Sequence, residues 1–205
     1  DPSSSALNVA IKKLEHYDNC IFHNLGVDEI PFNDESMDFG YSLGVLHHIP
    51  DTLNGIKRSV RKLKLGAPFL VYIYYAFDNR PKWFKAVWRV TNPFRRFISI
   101  LPFPIKYIIS QIIAIFVYFP LARFSRIIEI FGINVSNIPL SFYRDKNFYS
   151  MRTDALDRFG TRLEKRFTKT QIEQMLLESG LEKIEFRSQE PYWCAIGYRG
   201  KKRFN

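Results

Sequence analysis

Apolar residues follow two alternating periodicities along this chain of 205 residues. Segments in which apolar residues recur every three or four positions, as on one face of a helix, cover residues 6–14, 53–63 and 172–176. Strand-length patterns cover residues 20–23, 37–43 and 69–74, and the last of these is a continuous apolar run. Because helical and strand patterns alternate, the sequence predicts an α/β fold with a mostly parallel sheet.

The last part of the chain predicts an antiparallel hairpin. Two further strand patterns, at residues 181–187 and 192–198, are separated by only four residues, which is too short for a crossover helix. Earlier in the chain, Asp51 or Thr52 is expected to cap the helix over residues 53–63, and Gly66 to end it. The sheet is therefore expected to close with an antiparallel pair.

The middle of the chain differs in composition from both ends. Residues 80–152 hold twelve Lys and Arg against two acidic residues, a net charge of +10, whereas the rest of the chain holds eighteen of each sign. The same segment contains 16 of the 33 aromatic residues. We therefore predict an α/β body formed by residues 1–75 and 151–205, and a basic, aromatic helical insertion over residues 76–150.

The longest apolar run, Tyr107–Ala122, lies within this insertion between Lys106 and Arg123. Its sixteen residues would extend about 24 Å as a helix. The hydrocarbon core of a bilayer is about 30 Å thick. By this length argument we do not expect the run to span a membrane.

Cysteine usage and the first residues indicate the compartment. Cys20 and Cys194 are far apart, so neither a disulfide framework nor a zinc site is predicted, and a reducing cytoplasm is the expected environment. No charged-then-apolar leader follows Asp1, and we interpret the N-terminus as cut. Spacing typical of metal ligands is not found among the His, Asp and Glu residues, so no metal is expected.

Residues 30–51 carry the most specific pattern in the chain. A polar turn over Asn33–Ser36 precedes an apolar strand, which ends at Gly44 and is followed by the pair His47 and His48. In an open α/β sheet, the carboxyl end of a strand is where ligands bind, because backbone groups there are free. This strand end is therefore the candidate site.

The same segment resembles the fourth strand of class I S-adenosylmethionine-dependent methyltransferases, in the broad type 11-like branch. The residues that carry the resemblance are Ile30–Phe32, Asp34, Ser36–Asp38 and Gly44–Asp51. The resemblance implies a Rossmann-like, mostly parallel sheet with an antiparallel terminal hairpin and an insertion after the fifth strand.

This family has seven strands, and the sequence pattern matches only the third to the seventh. The first strand and the glycine-rich turn that follows it would be missing, together with the second strand. We therefore expect methyl transfer from the parent protein rather than from this chain alone.

The resemblance also assigns residues to S-adenosylmethionine. Asp1, with Pro2 beside it, occupies the place of the acidic residue that accepts hydrogen bonds from the ribose hydroxyls. The alternative is that Asp1 only caps the following helix. Both roles remain open at this point.

The rest of the donor site is expected on two loops. Gly26 stands where the family carries an acidic residue that binds the adenine amino group. The main chain of Val27 or the nearby carboxylate of Asp28 would therefore contact the adenine. The main chain of Gly44 and Val45 would pass beside the methyl group. A glycine is expected at position 44 because a side chain there would fill the space that the methyl group needs. A simpler alternative is that Gly44 only turns the chain.

His47 and His48 are the candidates for chemistry on the methyl acceptor. Histidine titrates near neutral pH and can remove a proton from an alcohol, a phenol or an acidic carbon. Neighbouring side chains usually diverge, so at most one is expected to face the pocket, and we favour His48. A structural or substrate-orienting role is an alternative for either residue.

The insertion has two interpretations: a lid packed on the body, or helices that rest on an anionic membrane surface through residues 80–130 and pass on a lipid-like acceptor. Three functions compete. The first is methyl transfer to a small or lipid-like acceptor; the second is a non-catalytic membrane-surface or partner-binding module. The third, an RNA-binding methyltransferase, is disfavoured because the basic residues are interspersed in apolar runs. The location would be cytoplasmic, or peripheral to the inner face of a membrane.

Overall fold

The computed structural model describes residues 1–201, which form two compact units. Among the described residues, the first unit comprises Asp1–Ile73 and residues 169–201, and the second comprises Tyr74–Thr168. The second unit thus extends beyond the predicted insertion, which was placed at residues 76–150.

The helices are α1 (Ser4–Leu14), α2 (Thr52–Arg61), α3 (Lys82–Ile100), α4 (Phe103–Ile113), α5 (Phe119–Ile130), α6 (Phe148–Gly160) and α7 (Lys169–Glu178), and the strands are β1 (Gly40–Leu43), β2 (Pro68–Tyr72), β3 (Leu181–Phe186) and β4 (Ala195–Arg199).

The sheet of the first unit has the strand order β1-β2-β4-β3 in the described part of the chain. Strands β1 and β2 are parallel, with Gly40 opposite Phe69. Strand β4 pairs antiparallel with both β2 and β3. The predicted α/β fold and its antiparallel terminal hairpin are therefore confirmed.

The helices of the first unit begin where polar side chains cap them. Ser3 Oγ accepts a hydrogen bond from the amide of Ala6 at the start of α1. Asp51 Oδ1 accepts one at 3.0 Å from the amide of Asn54, as expected for α2. Gly66, in contrast, does not end α2, which stops at Arg61. It turns the chain before β2 at φ +80°. The apolar faces of α2, β2 and α7 form the core: Ile56, Val60, Leu63, Phe69, Val71, Ile172 and Leu176.

The strand expected at residues 20–23 is not formed. In doubly wound sheets the third strand pairs with the second, not with the fourth. The described residues contain no such second strand, so the backbone of this segment has no sheet partner. The carbonyl of His23 instead accepts a hydrogen bond from the backbone nitrogen of Asp1 at 3.0 Å. The next strand is also shorter than predicted, because Met37 makes only an isolated bridge to Leu63.

The second unit is helical and contains one long helix. Helices α4 and α5 are joined without a break by a π-helical turn, Ala114–Tyr118, so that Phe103–Ile130 is continuous over 28 residues. Such a helix is about 42 Å long. It is long and apolar enough to cross a membrane by length and composition. The length argument drawn from the sixteen-residue run was therefore wrong, because the helix continues beyond that run.

The core of the second unit lies between this long helix and α6. Small side chains on both helices allow close approach, and Ala114, Ala122 and Ala155 are fully buried. The buried phenol of Tyr118 donates a hydrogen bond of 2.8 Å to Asp154 Oδ2. This packing explains why α6 belongs to the second unit, although most of it was predicted in the α/β body.

Candidate functional site

The turn that follows β1 begins at Gly44. Its backbone nitrogen donates to the carbonyl of Tyr72 at 2.9 Å, and its φ is +74°. Only glycine adopts this conformation without strain. A Cβ added to Gly44 would meet nothing within 4 Å. Gly44 therefore turns the chain, and the space beside it is open to a ligand.

The histidine pair lies directly after this turn. Leu46–His48 forms a short 3-10 helix in which Leu46 and His47 are buried, while His48 is partly exposed. The two imidazole rings do not diverge, since their centroids are 4.0 Å apart. A small molecule that reaches this turn can therefore contact His48 more readily than His47, which has no exposed surface.

Two residues of α2 hold the histidine turn in place. The buried hydroxyl of Thr52 donates to the carbonyl of Leu46 at 2.9 Å. Gly55 lies beneath the turn, where an added Cβ would come within 2.4 Å of Ile49 and 3.2 Å of Leu46. A larger side chain at position 55 would displace the turn, so α2 sets the position of His48.

Gly55 also brings the predicted adenine loop to the same place. The side chain of Val27 lies 3.5 Å from the position of an added Gly55 Cβ, next to Leu46 and Ile49. Gly26 has φ −78° and ψ 168°, a conformation open to every residue. The loop that contains Val27 (the Val27 loop, residues 26–29) and the turn that contains the two histidines (the histidine turn, residues 44–49) therefore both pack against α2 at Gly55.

The carboxylate of Asp28 forms an ion pair with Arg58. Arg58 Nε lies 3.1 Å from Asp28 Oδ1, and Arg58 Nη1 donates to the Asp28 carbonyl at 2.8 Å. Asp28 thus fastens this loop to α2. Its assignment to the adenine amino group stays a prediction.

Asp1 is exposed at the start of the chain, with Pro2 exposed beside it. Its Oδ1 accepts from the amide of Ser3 at 2.8 Å, and its carbonyl accepts from Asn24 Nδ2 at 2.8 Å. In the described residues no hydrogen bond joins Asp1 to the Gly44–His48 turn. Asp1 thus contacts Ser3, the residue that caps α1, and does not cap the helix itself. The ribose role stays a prediction.

Sequence reasoning missed three residues that position this site: Thr52, Gly55 and Arg58. Thr52 was considered only as a helix cap, whereas Asp51 caps the helix and Thr52 holds the turn. A glycine inside a helical pattern costs about 1 kcal/mol relative to alanine, so Gly55 was the one available signal of close packing. Within residues 1–201, no group of three His, Cys, Asp or Glu side chains is arranged as potential metal ligands.

Comparison with known proteins connects this geometry to a family. The model of a family described as a methyltransferase domain matches residues 1–71. This segment contains Asp1, the Val27 loop and the histidine turn. No curated protein shows significant sequence similarity to the chain.

Solved structures share the fold at low sequence identity. A chain in the complex between the Haloferax volcanii Trm112 methyltransferase activator and a candidate methyltransferase aligns with a TM-score of 0.52 and 11% identity, over 98% of this chain and 70% of that one. A candidate exported protein from Bordetella parapertussis aligns with a TM-score of 0.51 and 13% identity, over 98% of this chain and 52% of that one. This chain therefore spans about half of the Bordetella protein.

An S-adenosylmethionine-dependent methyltransferase from Methanosarcina mazei aligns with a TM-score of 0.50 and 14% identity, over 98% of this chain and 80% of that one. At these identities the structures establish the shared fold. Together with the family match over residues 1–71, they confirm the resemblance to class I S-adenosylmethionine-dependent methyltransferases.

Proposed function

We propose that the protein transfers a methyl group from S-adenosylmethionine to a small-molecule or lipid-like acceptor. The observation that carries this proposal is the open turn at the carboxyl end of β1. There Gly44 adopts φ +74° with free space beside it, and His48 follows on a turn fixed by α2. Open α/β sheets bind their ligands at such strand ends.

The open space beside Gly44 supports a place for the donor. S-adenosylmethionine supplies a methyl group on a sulfonium centre that is already activated for transfer. The protein must therefore chiefly orient the reacting groups. Gly44 and Val45 would border the methyl group, the main chain of Val27 or the carboxylate of Asp28 would contact the adenine, and Asp1 would accept from the ribose hydroxyls.

His48 is the residue that we propose to face the acceptor. Its partial exposure supports this choice over the buried His47. If the acceptor is an alcohol or a phenol, His48 removes its proton as a general base; if the acceptor needs no deprotonation, His48 orients it. An acceptor that needs no deprotonation separates the two roles, because a general base is dispensable for its methylation whereas an orienting residue is not.

A lipid-like acceptor is supported by the apolar surface of the second unit, on which most of the exposed large apolar side chains of the described chain lie. The same surface also supports a second candidate, a non-catalytic module that binds membranes. A protein of this second kind would bind vesicles but would not bind S-adenosylmethionine. Donor binding therefore distinguishes the candidates.

Calorimetric titration of the full-length protein with S-adenosylmethionine and with its demethylated product tests donor binding. We expect binding of both, and we expect Gly44→Ala to weaken it at least about tenfold, because the backbone must leave φ +74° and the open space is reduced. Gly66→Ala is the matched control. It introduces the same strain at φ +80° in a turn remote from the site and leaves a Cβ equally uncrowded. Absence of binding by the wild-type protein would refute the proposal.

Methyl transfer can be followed with a radiolabelled donor. The full-length protein is incubated with a lipid extract and, separately, with an aqueous small-molecule extract of its source cells. Label in either extract supports methyl transfer and identifies the acceptor class. We expect His48→Gln to slow labelling by about a hundredfold or more if His48 is a general base, without loss of donor binding. Lack of label in both extracts, with donor binding intact, would contradict the transferase function.

A further inference from the structure

Helix α3 carries an exposed apolar stripe along its whole length. The stripe follows a spacing of four, three, four and three residues, which places its members on one face of a helix. Each member is at least 47% exposed, up to 67% at Val90 and Phe94. The members are Trp83, Val87, Val90, Phe94 and Phe97. An exposed row of this size is uncommon on a protein surface that meets only water.

The long helix Phe103–Ile130 carries a second exposed row. Ile105, Ile108, Ile112 and Phe116 follow one another at helical spacing, and Phe116 is 73% exposed. The opposite side of the helix packs on α6, where Ser110, Ala114, Tyr118 and Ala122 are buried. The long helix therefore differs from the usual amphipathic helix of a water-soluble protein: its apolar side is exposed, and its more polar side is buried.

Charge indicates what covers these rows. Between Asp78 and Glu129 the sequence contains nine Lys and Arg residues and no acidic residue. Lys82, Arg89 and Arg96 are exposed on α3 itself. We infer that α3 and the long helix form a membrane-docking surface, which inserts its apolar rows into the interfacial region of a bilayer with anionic lipids.

The contacts of the long helix favour a position on the membrane rather than across it. Helix α6 follows it from Lys106, whose Nζ donates to the carbonyl of Gly160 at 3.0 Å, to Phe119, whose ring lies 6.1 Å from that of Phe148. A spanning helix would therefore carry α6 into the hydrocarbon, together with Arg152, Asp154, Asp157 and Arg158. Charged residues there are strongly disfavoured. With the helix parallel to the surface, α6 stays on the protein side.

A second copy of the chain fits this surface less well than an anionic bilayer. Two copies that met through the α3 stripe would bring the same cations together, with no acidic side chain from α3 to balance them. Like charges brought together in this way oppose association. Anionic lipid headgroups supply the missing negative charge at the edge of the apolar layer that the stripe requires.

Co-sedimentation of the full-length protein with lipid vesicles tests the surface, and the inference does not depend on the proposed methyl transfer because no donor is added. We expect the protein to bind vesicles of phosphatidylcholine mixed with phosphatidylglycerol. Binding to phosphatidylcholine alone should be at least about tenfold weaker, and salt should weaken binding to the anionic vesicles.

Two pairs of substitutions separate the apolar and the charged contributions. Phe94→Glu with Phe97→Glu is expected to reduce the partition coefficient at least about a hundredfold, since two aromatic side chains no longer enter the bilayer and two negative charges are added. Leu65→Glu with Leu177→Glu is the matched control, because both leucines are exposed in the first unit, at 56% and 50%. Binding of the control should fall much less.

Arg89→Gln with Arg96→Gln is expected to reduce binding to anionic vesicles by about thirtyfold, since each basic residue near the surface strengthens binding by about fivefold. Lys12→Gln with Lys13→Gln removes the same charge from α1 and should have little effect. Circular dichroism verifies that every variant is folded.

Three results would overturn the inference. The first is that the protein binds neither kind of vesicle. The second is that the Phe94 and Phe97 variant binds like its control. The third is a dimer, detected by light scattering without lipid, that the same substitutions dissociate; this would identify the stripe as a contact between two copies.

Discussion

The two units of this protein distribute charge and apolar surface in opposite ways. The first unit carries fourteen basic and fourteen acidic residues, and the second, Tyr74–Thr168, carries sixteen basic and six acidic residues. Of the 36 large apolar side chains that are exposed in the described chain, 24 lie in the second unit. The first unit thus has the usual apolar core and charged surface, whereas the second exposes much of its apolar surface.

The interior of the second unit is correspondingly polar. Arg166 Nη2 lies 2.8 Å from Glu164 Oε1, and their side chains are only 11% and 1% exposed. The Arg166 guanidinium also lies over the rings of Tyr74, Phe77 and Trp88, at 5.1, 4.7 and 5.6 Å from their centroids. In the first unit, by contrast, the ion pair of Asp38 and Lys64 is exposed on both sides. The second unit therefore buries both partners of an ion pair, whereas in the first unit the buried Arg199 pairs with Glu35, whose side chain is exposed.

The largest effect is expected from Arg166→Met, because it leaves the buried Glu164 carboxylate without its partner. Breaking a buried ion pair in this way typically costs about 3–5 kcal/mol. Urea unfolding followed by the fluorescence of Trp83 and Trp88, both in the second unit, measures the loss. The exposed Arg162→Met is the matched control and should change the free energy of unfolding by less than about 0.5 kcal/mol.

Adding Glu164→Gln to Arg166→Met is expected to recover part of the lost stability, since a neutral amide is easier to bury than an unpaired carboxylate. If the double variant is no more stable than Arg166→Met alone, the aromatic rings rather than Glu164 are the important partners of Arg166. The contrast between a charged interior and a charged surface would then lose its main support.

The next largest effect is expected at a glycine of the first unit. Gly55→Leu forces a side chain into the space taken by Ile49 and Leu46, and overpacking of this kind costs about 3 kcal/mol at the upper end of its usual range. We also expect the loss of S-adenosylmethionine binding, because the histidine turn must move. Urea unfolding and calorimetric titration measure the two effects.

Gly26→Leu is the control for stability, since an added Cβ there meets only the amide of Asp28, at 4.0 Å. Its free energy of unfolding should remain close to that of the wild type. An equal loss of stability in both variants would show that the first unit tolerates no added volume near the Val27 loop, and would remove the special role of Gly55.

The sequence predicted the first unit well where the signals are local. The cap at Asp51, the parallel pairing of the strands before and after α2, and the terminal hairpin depend on short-range patterns, and the structure confirms them. The strand at residues 20–23 failed because a strand needs a neighbour, and strand propensity does not report whether the neighbour is present. The positions of Val27 and the histidine turn depend on Gly55, which acts through packing between distant segments.

The second unit was less predictable, because its apolar pattern does not indicate which side is buried. The sixteen-residue apolar run suggested a short helix, whereas the observed helix continues through Arg123 and Arg126. Arg123 is accommodated by donating to the carbonyls of Arg144 and Lys146. Such contacts between residues about twenty positions apart cannot be derived from periodicity alone. The role of Arg166 was missed for the same reason.

An intermediate effect is expected from Tyr118→Phe, which removes the hydrogen bond to Asp154 in the core of the second unit. Losing a hydrogen bond from a buried phenol to a charged carboxylate costs about 2 kcal/mol. Burial, and after it the negative charge of Asp154, raise the pKa of the Tyr118 phenol above its ordinary value of 10.0. The folded state thus holds this proton more tightly than the unfolded state does.

The raised pKa makes the stability of the second unit depend on alkaline pH. The contribution of Tyr118 is complete below the pKa of an unfolded tyrosine and decreases as the pH rises above it. The wild type should therefore lose stability above a pH of about 10, and Tyr118→Phe should lose less. Thermal unfolding at several alkaline pH values measures the difference, with the exposed Tyr107→Phe as the control. Parallel pH curves for the wild type and Tyr118→Phe would exclude this role of Tyr118.

The smallest effect is expected at the surface of the first unit. Asp34 accepts from Lys62 Nζ at 2.8 Å and pairs with Arg61 Nη2 at 3.1 Å. The hydrogen bond from Lys62 is the main cause that holds the pKa of the Asp34 carboxyl below its ordinary value. The stabilisation by the Asp34 carboxylate is present above the pKa of an unfolded aspartate and is lost as the pH falls through the lower folded pKa.

Because these groups are exposed, Asp34→Asn should cost less than about 1 kcal/mol near neutral pH, and the difference from the wild type should vanish in acid. Urea unfolding between neutral and acidic pH measures this difference. A loss as large as that of Arg166→Met would mean that surface charge stabilises the first unit as strongly as buried charge stabilises the second.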